Sequence, residues 1–536
     1  MTRRTLSALV ALILSLGLVA CGDSVSLPGG DSPDRPGRSG LSDLDDTPLR
    51  IVAATELEDL QPVIEDAADD LGFPIELSFP AGTLDNSQSL LDGAFDQQHD
   101  ATWFATNRYV DILGASSKLA DSTPIGHSPV AFGITSSKAA ELGWDSRQPT
   151  WAEIAETAAD GQVTFGMTDP SASNSGFSAL VSVATALSDT GSALTSADID
   201  RISPQLQGFF SGQTLTSGSS GWLTETWLAD RSRADALINY ESVLHTLVQE
   251  HPDVSVIVPA DGVVSADYPL STLAAPAQPQ AREKVAALSG WLLDRPEVLT
   301  DSFRRPVDRG AELPAELDVP LLIELPFPAN RTITDQLVAA FHNELRTPGD
   351  TVFILDTSGS MEGERLALLK DTMRSLIDGS ARGAAGGVGF RDRERLTLLP
   401  FADEPATPLT LRFSTTDPAP ADQLTGEVDG LVAEGATAIY SALMEAYGRV
   451  DAREGSIPSI VLMSDGEVTA GAGLAEFRAF HAGLREPAAD IPVFVILYGE
   501  ANVAEMTAIA EMTGGKVFDA LDGDLDSAFK EIRGYQ

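Results

Sequence analysis

The chain is 536 residues long, which is too many for one hydrophobic core and predicts several folded units. Its hydrophobic content of 43% is typical of a globular protein and excludes a collagen-like or wholly disordered chain. With 79 acidic and 35 basic residues the net charge is −44, a balance that repels phosphate backbones and excludes nucleic acid as a partner.

The first residues have the parts of an export signal. Arg3 and Arg4 supply a basic start, an apolar run covers residues 6–20, and small residues precede Cys21. This segment resembles the bacterial lipoprotein signal, which implies that residues 1–21 end in a lipidated cysteine. The resemblance places the protein at the extracytoplasmic face of the cell membrane, held there by its lipid. An ordinary signal peptide with a chance cysteine is the alternative.

Residues 22–47 are rich in Ser, Gly, Pro and Asp and show no hydrophobic period. Such a composition cannot bury enough apolar surface to fold, so the sequence predicts a disordered acidic tether here. Cys21 is the only cysteine, and the exported chain therefore has no internal disulfide.

Short apolar runs alternate with amphipathic stretches over residues 48–311, and this alternation predicts an α/β domain. Because the region is long for one sheet, we expect two lobes. Residues 312–349 contain several prolines and one amphipathic stretch, at 333–345, so they predict an ordered connector. The strands predicted in the first domain cover residues 49–54, 75–79, 101–104, 130–134, 163–167, 236–239, 254–258 and 268–273, and a helix is predicted over 57–71.

Hydroxyl-bearing turns follow or open several of these strands. Taken singly, each turn is more typical of a helix cap than of a ligand contact. Their order resembles the extracellular solute-binding proteins that capture oxyanions such as molybdate or sulfate in a cleft between two lobes. The resemblance implies a periplasmic-binding-protein-like fold and a small solute as ligand. Its cleft residues would be Thr55, Ser128, Ser173, Ser175 and Tyr240.

The last part of the chain, residues 350–536, repeats the α/β alternation. Strands are predicted at 351–355, 395–399, 460–463, 493–497 and 517–518. Helices are predicted at 365–377, 439–450, 474–484, 503–512 and 525–532.

Three oxygen-bearing residues follow the first of these strands at alternate positions, namely Asp356, Ser358 and Ser360. Ligands of open α/β sheets bind beyond the carboxyl ends of the strands, so this loop lies where sites are built. One carboxylate and two hydroxyls are hard oxygen ligands of the kind that Mg²⁺ prefers. An ordinary helix N-cap is the alternative interpretation of the loop alone.

Thr437 precedes the predicted helix at 439–450, and Asp465 lies in the loop that follows the strand at 460–463. With these two additions the segment resembles the von Willebrand factor type A domain and its metal-ion-dependent adhesion site. The resemblance implies a doubly wound, mostly parallel, Rossmann-like sheet. It also implies one divalent cation, Mg²⁺ or Mn²⁺, held by Asp356, Ser358, Ser360, Thr437 and Asp465. An open coordination position on that cation would accept an acidic group from a partner protein.

Enzymatic motifs are missing from the sequence. It contains no Gly-x-Ser-x-Gly elbow, no P-loop and no His-Glu-x-x-His, and the residue two places after Asp356 is Ser358 where a phosphatase-like site usually has a second Asp. We therefore expect a non-enzymatic lipoprotein that binds an envelope or extracellular protein in a cation-dependent way. A receptor that presents a small oxyanion or other solute to an envelope transporter is the alternative. An accessory factor for envelope assembly is a third interpretation.

Overall fold

The structure, a computed structural model, describes residues 44–536 apart from 219, 309, 319–321, 381, 384–385, 388, 451–454, 467, 500–502, 521–527, 530–531 and 533–536. The expected signal, Cys21 and residues 22–43 of the expected tether lie outside the described residues. Most of the helix expected at 525–532 also lies outside them.

Residues from Leu44 onward form one compact unit. Its first residues are bonded to the fold, because Lys284 Nζ donates to Asp45 Oδ1 at 2.7 Å and to the Thr47 carbonyl at 2.6 Å. The Asp45 N–H also donates to Gln280 Oε1 at 2.9 Å. Residues 44–47, expected to belong to the tether, are therefore part of this folded unit, since a buried lysine bonds to Asp45 and Thr47.

The N-terminal domain has two mixed sheets. The first has the strand order β2-β1-β3-β11-β4; the second has the order β10-β5-β8-β6-β7, with β9 and β12 also paired to β5. Residue ranges are β1 (Leu49–Ala53), β2 (Ile75–Ser78), β3 (Ala101–Trp103), β4 (Leu119–Pro124), β5 (Gly126–Thr135), β6 (Phe165–Thr168), β7 (Gln213–Ser217), β8 (Ala236–Tyr240), β9 (Val254–Ile257), β10 (Ser265–Ala266), β11 (Pro269–Leu273) and β12 (Arg305–Pro306).

The chain crosses between these sheets three times, first from β4 to β5, then back from β10 to β11, and finally from β11 to β12. Each sheet with its helices is a lobe, and lobe one therefore consists of two separate segments of sequence. At the return crossing Tyr268 has a φ of +42°, and the Trp103 indole N–H donates to its carbonyl at 3.0 Å. This bond fixes the turn that brings the chain back into the first sheet.

Helices cover the faces of both sheets. The predicted helix at 57–71 starts as a 3₁₀ turn, Thr55–Leu60, and then becomes α1. The connector carries α12, which ends in a π-helical turn at Phe341–Leu345 and packs Phe341 against Phe210 of α7. The helices are α1 (Gln61–Leu71), α2 (Thr83–Asp92), α3 (Arg108–Ile112), α4 (Ser136–Leu142), α5 (Trp151–Ala159), α6 (Asn174–Ser188), α7 (Ser196–Ser211), α8 (Ser220–Ala229), α9 (Glu241–Glu250), α10 (Ala281–Leu293), α11 (Pro296–Asp301) and α12 (Arg331–Ala340).

The C-terminal domain is built on one sheet with the order β17-β16-β13-β18-β19-β20, in which β17 alone is antiparallel to its neighbour. Its strands are β13 (Gly349–Asp356), β14 (Arg382–Gly383), β15 (Gly386–Gly387), β16 (Arg395–Phe401), β17 (Leu409–Arg412), β18 (Ile457–Ser464), β19 (Val493–Leu497) and β20 (Val517–Asp519). Its helices are α13 (Glu364–Asp378), α14 (Pro418–Gly430), α15 (Ile439–Tyr447), α16 (Leu474–His481) and α17 (Val503–Thr513).

Alternate residues of β13 pack into separate cores on the two faces of this sheet. Phe353 and Leu355 lie in one core, and Val352 and Ile354 lie in the other. Burial on both faces explains the uninterrupted apolar run at residues 352–355 of this strand. The two-lobed domain followed by a doubly wound sheet confirms the predicted fold class.

Within the part of the chain that the structure describes, every helix is too short or too polar to cross a membrane.

Candidate binding sites

A cavity of about 620 Å³ lies between the two lobes of the N-terminal domain. Lobe one contributes the turn after β1, from Thr55 to Asp59, together with Gly82 at the start of α2. Lobe two contributes the loop before α6 and parts of α8 and α9. A volume of this size accommodates a small organic molecule.

The cavity wall is acidic. Its described lining residues include five carboxylates and no Lys, Arg or His; the carboxylates belong to Glu56, Glu58, Asp59, Glu225 and Glu250. Arg304 pairs with Asp59, to whose two carboxylate oxygens it donates at 2.7 and 2.8 Å, and it also donates to the Glu56 carbonyl at 2.8 Å. Burial raises the pKa of the Glu56 carboxyl despite the positive charge of Arg304 nearby.

Asn174 is the first residue of α6 and lines the cavity with only 2% of its surface exposed. Its amide Nδ2 donates to the Tyr240 hydroxyl, while its Oδ1 accepts no hydrogen bond within the described structure. A buried carbonyl oxygen without a donor is costly in a folded protein, so this oxygen marks a place where a ligand would donate a hydrogen bond.

Of the five residues predicted to face the cleft, Thr55 and Ser173 line the cavity. Ser175 is buried but bonded to the wall, with its hydroxyl 3.1 Å from that of Ser173 and 2.9 Å from that of Ser220. Tyr240 is 1% exposed and holds Asn174 from behind. Ser128 is fully buried and its hydroxyl accepts from the Ser242 N–H at 3.0 Å. These last three residues support the wall without forming its surface.

The second candidate site is at the carboxyl edge of the C-terminal sheet. Asp356 is the last residue of β13, which has β16 on one side and β18 on the other. The order of the strands reverses at β13, and open α/β sheets bind ligands at such a point. Its Oδ1 accepts from the Ser358 N–H at 2.8 Å, and its Oδ2 accepts from the Ser464 hydroxyl. The Ser358 and Ser360 hydroxyls are 3.0 Å apart.

Asp465 follows β18 and is 3% exposed. Burial of Asp356 raises the pKa of its carboxyl, and the negative charge of Asp465 raises it further. The structure therefore brings the two carboxylates together at one edge. Arg365, at the start of α13, donates to Asp465 Oδ2 at 2.8 Å and to the Ser360 carbonyl at 3.1 Å.

The loop that carries Thr437 is fixed against this edge. The Gly359 N–H donates to the Gly435 carbonyl at 3.0 Å, and the Ala436 N–H donates to Asp403 Oδ1 at 2.9 Å. Gly435 has a φ of +81°, and a Cβ there would lie 2.7 Å from Asp403 Oδ2, so the position requires glycine. Thr437 itself is 2% exposed.

Two carboxylates and three hydroxyls at this edge have the chemistry of a magnesium or manganese site. The negative charge of Asp465 raises the cost of ionising Asp356, and a dication would relieve that cost. The residues therefore fit the expected cation. Over the described ranges no group of three or more His, Cys, Asp or Glu could hold a metal, so a cation here would depend on hydroxyl ligands.

Several residues of both sites are missing from the sequence prediction. Ser464 and Asp403 directly follow apolar strand residues at the edge that carries Asp356, and that position could have identified them. The roles of Arg365, Glu56 and Asn174 depend on side-chain directions that no spacing reveals.

Comparison with protein families assigns both domains. Residues 350–531 match the von Willebrand factor type A domain, and residues 75–293 match the bacterial extracellular solute-binding protein family. The protein joins a solute-binding domain to a VWA domain. No curated protein matches the sequence significantly.

Solved periplasmic binding proteins resemble the chain at low identity. AfuA from Actinobacillus pleuropneumoniae, with exogenous fructose-6-phosphate bound, is 12% identical with a TM-score of 0.45, and the match covers 55% of this chain and 98% of AfuA. The sulfate-binding protein SubI from Mycobacterium tuberculosis H37Rv is 16% identical with a TM-score of 0.40, over 53% of this chain and 94% of SubI. Iron-bound HitA from Pseudomonas aeruginosa is 10% identical with a TM-score of 0.41, over 52% of this chain and 92% of HitA. Similarities at this level do not identify a ligand.

Proposed function

We propose that the protein is an extracytoplasmic binding protein whose solute-binding domain captures a small solute between its lobes. The observation that carries this proposal is the cavity of about 620 Å³, to which both lobes contribute. Residues Thr55 and Gly82 from one lobe face Ser173 and Asn174 from the other. A solute that contacts both lobes would stabilise them relative to one another.

Blocking the cavity tests this proposal. Gly221 lines the cavity on α8, is exposed and has nothing within 4 Å of an added Cβ, so Gly221→Phe should fill the cavity without disturbing the core. Gly426→Phe is the matched control, because Gly426 is an exposed helix glycine of the VWA domain with equally open surroundings. We expect a solute to raise the melting temperature of the native chain and of Gly426→Phe but not of Gly221→Phe. Equal responses of the two variants would contradict the proposal.

A second function is favoured by the edge of the VWA sheet, where Asp356 and Asp465 lie together. We propose that Asp356, Ser358, Ser360, Thr437 and Asp465 hold Mg²⁺ or Mn²⁺, and that an acidic side chain of an envelope or extracellular protein completes the coordination. Two carboxylates nearly neutralise a dication, and the hydroxyl ligands leave it able to accept a third. Both binding functions require no catalysis.

The adhesion function predicts that capture of a partner depends on the cation and on Asp356 together. The purified chain should retain an envelope protein in the presence of Mg²⁺ and release it on addition of a chelator. Asp356→Asn should retain nothing under either condition. If Asp356→Asn still retains the envelope protein and a chelator still releases it, the cation binds elsewhere in the protein.

A further inference from the structure

We propose that the solute captured between the lobes is an organic cation, a molecule with a protonated amine attached to an apolar body. This inference rests on the proposed solute-binding function and names the chemical class of its ligand. The amine would lie against the Glu56 carboxylate and donate to Asn174 Oδ1. The apolar body would pack against Leu228, Val243 and Leu247 on the wall of lobe two.

The charge of the cavity supports a cation. Among the described residues Asp59 is the only one of its five carboxylates with an ion pair, the one with Arg304. No ion pair forms there at Glu56, Glu58, Glu225 or Glu250, and no described lining residue is basic. A cleft lined by one sign of charge concentrates ions of the opposite sign, so an anionic solute would be repelled here.

Helix N-termini on the cavity wall attract anions, but their effect is weaker than that of the carboxylates. Three helices begin at the wall, α6 at Asn174, α8 at Ser220 and α2 next to Gly82, and helix N-termini favour anions through their free N–H groups. Each helix end is equivalent to roughly half a positive charge, so the three together offset roughly one and a half of the four carboxylates without an ion pair. The net potential of the cavity stays negative, which favours a cation over the oxyanion expected from the order of the turns.

Asn174 supplies an observation that is independent of the charge. Its Nδ2 is occupied by the Tyr240 hydroxyl, so the amide presents Oδ1, an acceptor, and this buried oxygen has no donor in the described structure. A sulfate dianion carries only acceptors and would leave that oxygen unpaired. An ammonium group has only donors and would satisfy it.

A bare metal ion fits the cavity less well than an amine. The described residues contain no group of three His, Cys, Asp or Glu side chains arranged to hold a metal. Glu58, Glu225 and Glu250 are exposed, and only Glu56 among the four uncompensated carboxylates is partly buried. A single ammonium group would pair with the partly buried Glu56 carboxylate. The three exposed carboxylates would attract the amine toward the cavity.

Four probes of similar shape separate charge from size: 1,4-diaminobutane, n-butylamine, n-butanol and butyrate. Sulfate and Mg²⁺ complete the set, and binding to the full chain is measured by calorimetric titration at neutral pH. We expect the two amines to bind, n-butanol to bind at least about tenfold more weakly, and butyrate and sulfate not to bind. Loss of a hydrogen bond to a charged group accounts for a change of that size. Amine affinity should also fall as salt is added.

Three substitutions locate the binding. Glu56→Gln and Glu225→Gln should each weaken amine binding, the first by about tenfold or more and the second by less because Glu225 is exposed. Glu65→Gln removes the same charge from an exposed position of α1 outside the cavity and should change nothing. Melting temperatures measured without solute identify any variant that fails to fold. If Glu56→Gln fails to fold, Glu225→Gln still tests the inference.

Tighter binding of butyrate, sulfate or Mg²⁺ than of the amines would overturn the inference. Equal amine affinity in Glu56→Gln, Glu225→Gln and Glu65→Gln would overturn it as well. If an anion binds and Gly221→Phe abolishes that binding, the solute-binding function stands and the cationic solute does not. If none of the probes binds the native chain, the inference is contradicted, whereas the proposed function is tested separately by the comparison of Gly221→Phe with Gly426→Phe.

Discussion

Arg391 of the VWA domain places its Nη1 3.4 Å from Asp169 Oδ2 of the solute-binding domain, and both side chains are buried. His342 and Arg346 of the connector approach the same carboxylate at 3.5 and 3.9 Å. The Asp169 carbonyl accepts from the Ser173 N–H at 2.9 Å, which ties this cluster to the wall of the cavity. One aspartate therefore connects the solute site, the connector and the second domain.

Asp169→Asn should destabilise the protein strongly. The substitution leaves buried positive charges without their carboxylate, and removing one partner of a buried ion pair costs about 3–5 kcal/mol. Denaturant unfolding of the native chain and the variant measures the loss. Asp200→Asn, an exposed position on α7, is the control and should stay within about 0.5 kcal/mol of native. A comparably small change for Asp169→Asn would show that the cluster does not hold the domains together.

The difference in unfolding free energy between the native chain and Asp169→Asn should depend on pH. Burial alone would raise the pKa of Asp169, but the positive charges of His342, Arg391 and Arg346 outweigh burial and lower the pKa. A carboxyl whose folded pKa is lowered stabilises the fold above its unfolded value and loses that contribution as the pH falls toward the folded value. The stability gap between the native chain and Asp169→Asn should thus shrink as the pH falls below about pH 4. A gap that widens on acidification would contradict this assignment.

The strands that the sequence predicts best are buried on both faces. β19 was predicted at the residues it occupies, Val493–Leu497, because all five are apolar and buried. The edge strands β4 and β17 were missed, since their residues alternate between partly buried and exposed and include polar side chains. The pairing of β11 with β3 and β4 joins residues far apart in sequence, so periodicity could not place that strand in the first lobe.

The two candidate sites differ in how far sequence reveals them. Asp356 and Asp465 end neighbouring parallel strands, so the rule for strand ends predicts that they lie close together. Ser128 and Tyr240 also adjoin strand ends, but β5 and β8 pair through the sheet interior, and both residues are buried behind the cavity. The acidic character of the cavity arises from side chains on separate helices of both lobes, a combination that no local pattern contains.

Cys21→Ser tests the lipid anchor expected from the first residues. If Cys21 carries the lipid, the variant should accumulate as an uncleaved precursor or be released into the medium, because no thiol remains to accept the lipid. Incorporation of a labelled fatty acid into the cell-bound chain is the measurement. Ser24→Ala, three residues later, should be labelled and processed like the native chain. Unchanged labelling of Cys21→Ser would refute the anchor.

Asp356→Ala should weaken Mg²⁺ and Mn²⁺ binding more than Ser360→Ala does. Water can replace a hydroxyl ligand, whereas loss of a carboxylate leaves the charge of the dication poorly compensated. We expect a loss greater than about tenfold for Asp356→Ala, which corresponds to about 1.4 kcal/mol. Calorimetric titration of the full chain measures it, with Asp371→Asn as an exposed control on α13. Equal metal affinity in native and Asp356→Ala proteins, both folded, would remove the cation from this site.

Arg365→Met should raise metal affinity several-fold. The Arg365 guanidinium lies 2.8 Å from Asp465 Oδ2, where it repels an incoming dication and occupies a carboxylate that the dication needs. Methionine keeps much of the side-chain volume and removes the charge. Because Arg365 is 41% exposed, loss of its ion pair should cost stability only about 1 kcal/mol or less.

Arg374→Met is the matched control, since Arg374 lies on the same helix, is also 41% exposed and pairs with Asp371 and Asp429 instead. Removing its charge changes the net charge of the protein equally but leaves Asp465 untouched. Titration with Mg²⁺ at low and moderate salt should show tighter binding for Arg365→Met alone, with a stronger dependence on salt than in the native chain, because the repulsion that salt screens is gone. A lower metal affinity in Arg365→Met would mean that Arg365 orients Asp465 toward the metal ion. The prediction that the Arg365 guanidinium competes with the metal ion for Asp465 would then be wrong.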